Sequence, residues 1–182
     1  MNRSNAMNII NLHKRMLRNV FLNVELLLND GIDNISEYDL QAFMFLFFQR
    51  TLVNTRASAE REKSGRVDCV LYNNGVPEVF YELKTYFKSH EKPQHKHFES
   101  DIQKLADRLV TYPSARAFFV IAGRQRKFMP PSINDFQWLA ERLQFNRHWV
   151  KYRLKDGTHV RLRPSQLQHY GRSVAVTWEV KK

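Results

Sequence analysis

Between Arg66 and Lys84 the chain reads Arg-Val-Asp-Cys-Val-Leu-Tyr, then Asn-Asn-Gly-Val-Pro, then Glu-Val-Phe-Tyr-Glu-Leu-Lys. Two runs rich in β-branched and aromatic residues flank an Asn-Asn-Gly turn, a pattern that predicts a β-hairpin. Successive side chains on a strand point to opposite faces, so Glu82 and Lys84 share one face and Tyr81 and Leu83 the other. Asp68 likewise points away from Val67 and Cys69. A pairing that brings Asp68 onto the face of Glu82 gathers two carboxylates and an ammonium group into one patch. Such a patch is costly unless something binds there. A divalent cation is the natural occupant, because hard cations such as magnesium take carboxylate oxygens and keep several waters. Set against this, Glu-x-Lys in a strand is also an ordinary solvated ion pair.

The remaining elements follow in order. Apolar residues at Ile9, Leu12, Met16, Val20, Val24 and Leu27, widened by Ile10, Leu17, Phe21 and Leu28, predict a helix over 8–29, closed by Asp30-Gly31. A second helix is expected from the cap residue Ser36, with Asp39 as its capping-box acid. Its run from Ala42 to Phe48 is apolar nearly all round, which predicts a central position. Thr55 to Glu62 reads as a strand and Lys63-Ser64-Gly65 as the turn before the hairpin. The polar stretch 85–97 reads as a loop; its His90, His95 and His97 lack the partners of a zinc site. Helical spacing returns over Phe98–Thr111. Arg116 to Ala122 is a nearly continuous apolar run, as in a strand buried on both faces. A further helix is expected over Ile133–Phe145, after Pro130-Pro131. Alternation over 149–163 and 174–180 then predicts antiparallel strands.

Lysine and arginine number 29 against 18 acids, a net charge of +11. That excess favours a polyanionic partner, most simply nucleic acid. Cys69 is the one cysteine, which excludes an internal disulfide framework and a thiolate-rich metal site; on an inward face it reads as a packed core thiol. No apolar run approaches the length of a membrane span, and polar residues stand where a signal peptide would be apolar. A cytoplasmic protein with no membrane partner is expected, with residues 7–182 as a single domain. Ser4-Asn5-Ala6 ahead of Met7 makes residues 1–6 read as an expression scar.

Asp68 followed by Glu82-Leu83-Lys84, in the order helix, three strands, helix, strand over residues 33–124, resembles the PD-(D/E)xK nuclease superfamily. Val67 stands where that family's name puts a proline. The resemblance implies an α/β fold: a restriction-endonuclease-like core, an N-terminal helix, and a C-terminal antiparallel β extension over about 147–182. It implies Asp68 and Glu82 as ligands of magnesium or manganese, with Lys84 orienting and activating the attacking water. It also places an additional acid on the helix ahead of the strands, where Glu37 lies in the first turn; helix-dipole complementarity explains such a residue equally, and Glu60 and Glu62 are rivals. The reaction implied is phosphodiester hydrolysis by an endonuclease of restriction, repair or recombination type. DNA is favoured over RNA by the resemblance alone, and cutting duplex at one place calls for a homodimer or two successive nicks. A non-catalytic DNA- or RNA-binding module is the alternative.

Nucleic-acid contacts are expected from Lys88, Lys92 and Lys96 in the polar loop, and from Lys104 on a helix that borders such sites. Arg124, Arg126 and Lys127 follow the buried strand. Lys151, Arg153, Arg161 and Arg163 stud one face of the C-terminal strands with no interleaved acid, and Trp149 adds a stacking surface. A crowded acidic patch without metal opposes folding, so Asp68→Asn is expected to be neutral or mildly stabilising.

Overall fold

The computed structural model describes residues 8–53, 57–60, 67–87, 95–128 and 149–182. The expected helix over Ile133–Phe145, the turn at 63–65, Glu62, Lys88, His90 and Lys92 lie outside the described residues. Helix α1 (Ile9–Asn29) starts at Asn8, whose side chain accepts from the Asn11 N–H. Helix α2 (Glu37–Leu52) carries the full capping box: the Ser36 hydroxyl accepts from the Asp39 N–H while the Asp39 carboxylate accepts from the Ser36 N–H. These local bonds satisfy donors that a helix start leaves free.

Three strands follow, β1 (Ala57–Glu60), β2 (Cys69–Asn73) and β3 (Val76–Tyr86), then helix α3 (His95–Thr111) and β4 (Arg116–Arg124). A short 3-10 helix (Gln125–Phe128) comes next, and β5 (Val150–Arg153), β6 (His159–Tyr170) and β7 (Ser173–Lys181) end the chain. The fold is mixed α/β: the seven described strands form one sheet in the order β1-β2-β3-β4-β7-β6-β5. Every neighbouring pair is antiparallel except β3 with β4, which α3 connects. The C-terminal strands therefore continue the central sheet, because β7 lies along β4. Val120 and its neighbours are covered on both sides, which is why that run is apolar without alternation.

The two faces of the sheet have separate cores. Helices α1 and α2 cover one, packing Met16, Phe21, Met44 and Phe48 on Cys69, Tyr81, Leu83, Phe118 and Val120. Helix α3 covers the other, packing Ile102 and Leu105 on Phe80, Phe119, Val176 and Trp178. Full burial of one such side chain stabilises by roughly 1.5–3 kcal/mol.

Several expectations are corrected by tertiary contacts. Helix α2 is not wrapped on all sides: Leu46 is exposed and Phe43 half-buried, because the sheet lies on one side only. Ile10 is likewise exposed, and the buried stripe of α1 includes His13. The polar loop is shorter than its sequence suggests, since β3 runs to Tyr86 and α3 begins at His95. His13 stacks on Phe118, ring centroids 4.3 Å apart, with neither nitrogen hydrogen-bonded. Burial and the nearby Arg116 push it down to about 3, so it is neutral at ordinary pH.

Candidate active site at the end of the central hairpin

Asn74 and Gly75 both have positive φ, 52° and 76°, the turn that suits the twist of a two-residue hairpin. Beyond it a bulge shifts the register: Tyr72 pairs with Pro77, but Leu71 pairs with Val79 and Cys69 with Tyr81. Without the extra residue Cys69 would face Phe80, and every later side chain of β3 would change sides relative to β2. The bulge thus sends Tyr81 and Leu83 into the α1–α2 core and leaves Glu82 and Lys84 on the side of α3.

Asp68 leaves the ladder just before β2. Its N–H donates to the Tyr81 carbonyl at 3.0 Å. One carboxylate oxygen accepts from the Leu83 N–H at 2.6 Å and the other from the Gln41 side chain, Nε2, at 2.7 Å. Asp68 therefore ties the hairpin end to α2. An asparagine at this position keeps both contacts if the Gln41 amide flips: its oxygen accepts from the Leu83 N–H and its Nδ2 donates to Gln41.

Glu82 is 1% exposed, and its Oε1 has no hydrogen-bond partner; its Oε2 lies 3.6 Å from the Lys104 ammonium. Burial, with Asp68 and Asp101 beside it, pushes the Glu82 carboxyl up to about 10. Asp68 is raised by burial, an effect opposed by the bond from Leu83. Lys84 spans two helices: its ammonium sits 3.1 Å from Asp101 on α3 and 3.3 Å from Glu37 in the first turn of α2. Burial lowers Lys84, but Asp101 and Glu37 outweigh it and hold it above its ordinary value. Glu37 is raised by burial, with Lys84 opposing. Lys104 also bonds Asp101, at 2.8 Å. Four carboxyl groups and two ammonium groups thus share one end of the sheet.

The structure brings Asp68, Glu82, Lys84 and Glu37 together. Glu60 lies in β1. Gln41 and Asp101 belong to the cluster but were not singled out by sequence. A signal existed for Gln41, the one amide on an otherwise apolar helical face with Leu40, Met44 and Phe48. Among the described residues no three His, Cys, Asp or Glu side chains are grouped so as to hold a metal ion. A magnesium-type ion takes one or two carboxylates and completes its sphere with water and phosphate; here both Asp68 oxygens already accept hydrogen bonds, and Glu82 Oε1 is buried without one.

The expected nucleic-acid residues divide. Lys96 falls in the first turn of α3 and Lys127 in the 3-10 helix. Lys104 is held in the acidic cluster, and Arg124 is ion-paired with Asp33. Arg126, Lys151, Arg153 and Arg161 are exposed. Arg163 corrects the reading of a face without acids: Glu179 on β7, 2% exposed, pairs with both Arg163 and Arg116, at 2.5 and 2.6 Å. Trp149 is half-buried, with Arg163 4.7 Å and Lys181 4.6 Å from its ring centre.

No described helix is long and apolar enough to cross a membrane. Comparison with protein-family models, curated proteins and solved structures gives no match.

Proposed function

We propose that this chain is a metal-dependent nuclease of the PD-(D/E)xK kind, hydrolysing phosphodiester bonds in cytoplasmic nucleic acid, DNA in the first place. The observation that carries this reading is the meeting of Asp68 with Glu82 and Lys84 at the end of one hairpin, where a buried Glu82 oxygen lacks a partner. The element order α2, β1 to β3, α3, β4 supports it. A bound magnesium or manganese ion would polarise the scissile phosphate and lower the pKa of a bound water. Asp68 and Glu82 would hold that ion, and Glu82 must give up its proton to do so. Lys84, kept cationic by Asp101 and Glu37, donates hydrogen bonds to phosphate and water and offsets developing charge; it does not act as a base. Gln41 positions Asp68. Glu37 positions Lys84 and, with its raised pKa, is placed to exchange a proton with a water.

A nicking assay on labelled single-stranded, duplex and branched DNA, with and without Mg²⁺ or Mn²⁺, tests the reading. Metal-dependent cleavage is expected, and Lys84→Ala should lower it by about 10²–10⁴ while Mn²⁺ binding by titration calorimetry persists. Cleavage by Lys84→Ala at the parent rate would sink the assignment. The two hydrogen bonds that make Asp68 structural favour a second reading, a non-catalytic nucleic-acid-binding module. Tight binding with no cleavage under any metal would select it.

A further inference from the structure

On the opposite side of the sheet from Glu82 and Lys84, a cleft of about 470 Å³ runs between α1 and the end of β6. Lys14 and Arg15, with Arg18 one turn further along α1, form its helical wall, and Leu22 continues that wall. Gln168 and Tyr170 are its floor. A second bulge, between Pro164 and Gln166, places them there by shifting the β6 register against β7.

Three features point to an anionic, extended occupant. The three cations are exposed, and none has an ion pair among the described residues. The one acid of α1, Glu25, is engaged elsewhere: it accepts from the Arg172 N–H and the Ser173 hydroxyl. That close approach is possible because Gly171, at φ 54°, has no Cβ to collide with the carboxylate. Finally, the Tyr170 hydroxyl and the Gln168 side-chain oxygen are buried at the cleft without hydrogen-bond partners. The Tyr170 ring is fixed by stacking on Phe21, 4.7 Å between centroids, so its hydroxyl stays aimed from a rigid base.

We propose that this cleft is a second nucleic-acid site, which grips the sugar-phosphate backbone of one strand through Lys14, Arg15 and Arg18 and takes a phosphate or sugar oxygen on the Tyr170 hydroxyl. It lies on the other face from the carboxylate cluster, so the strand it holds is not the segment at Glu82 and Lys84. The proposal stands on charge and unpartnered polar atoms and does not depend on hydrolysis.

The test is fluorescence anisotropy with a labelled single-stranded oligonucleotide across a salt series. Arg18→Gln is compared with Arg50→Gln, which removes the same charge from an exposed position at the end of α2. Arg15→Gln with Arg18→Gln should weaken binding about tenfold at low salt and lower the slope of log affinity against log salt by about 1.4, about 0.7 for each contact to a single strand. Tyr170→Phe, which keeps the Phe21 stack, should weaken binding a few-fold. Equal losses for Arg18→Gln and Arg50→Gln would mean a diffuse field effect and overturn the proposal, as would unchanged affinity. Vesicles of phosphatidylserine form a separate arm; loss of vesicle binding in Arg18→Gln without loss of oligonucleotide binding would make this a membrane-facing surface and also overturn it. Failure of these binding predictions leaves the hydrolytic reading standing, because that reading is tested by metal-dependent cleavage and not by affinity.

Discussion

The acidic end of the hairpin and the basic flank formed by α1, β5 and β6 treat charge in opposite ways. At the hairpin end Glu82, Asp101 and Asp68 are buried or half-buried, each charge has a named neighbour, and Glu82 is pushed up to about 10. On the flank, Lys14, Arg18, Lys151, Arg153 and Arg161 are exposed. Burial makes a charge strongly coupled to its neighbours, expensive and tunable; exposure leaves it weakly coupled, cheap to hold and sensitive to salt. The first arrangement suits an ion and a proton, the second a polyanion. The flank is not uniformly of the second kind, since Arg116 and Arg163 are anchored on buried Glu179.

The sharpest way to break this contrast is Glu82→Gln. Its folded pKa, about 10, lies above the ordinary carboxyl value, so folding takes up a proton. The associated stability is fully present below about 4.5 and is lost as pH rises through about 10. In EDTA the parent should therefore melt at progressively lower temperature over that window, and Glu82→Gln should flatten the slope. At neutral pH the variant should gain roughly 1–3 kcal/mol, seen as a higher melting temperature by about 2–4 °C per kcal/mol. Parallel pH profiles for parent and variant would show that Glu82 is ionised and solvated after all.

Asp68→Asn should move the same way but less. Burial raises the Asp68 carboxyl, so a neutral side chain is favoured there, and the asparagine can keep both contacts by accepting from the Leu83 N–H and donating to a flipped Gln41 amide. A thermal melt in EDTA within about 1 kcal/mol of the parent or above it is expected; a much lower one would show that the charged carboxylate's two hydrogen bonds govern this position.

On the flank, Arg153→Gln with Arg161→Gln should leave stability within about 0.5 kcal/mol and lower the salt slope of nucleic-acid binding by one to two units. An unchanged slope would make β5 and this part of β6 a plain solvated surface and confine phosphate contact to the α1 side.

Much of the fold was legible because its causes are local. The Asn-Asn-Gly turn needs two residues with positive φ, the Ser36–Asp39 box closes within four residues, and the stripe on α1 is written at helical spacing. Continuous apolar residues from Ala117 to Ala122 marked a strand covered on both faces. The pairing of Asp68 with Glu82 and Lys84 was legible as an expectation, because alternation limits which side chains can share a face.

By itself, then, the sequence determined the helices α1 and α2, the hairpin, the antiparallel C-terminal strands and the excess of positive charge, each of which depends on residues close together in the chain or on composition. Only the tertiary structure decided the bulge before Val79 that turns Glu82 toward α3, the bond from Gln41 to Asp68, the grip of Asp101 and Glu37 on Lys84, and the pairing of Arg163 with Glu179. Those contacts join residues distant in sequence. Whether a carboxylate there is charged, paired or protonated depends on how far the folded chain removes it from water, a quantity that no local pattern carries.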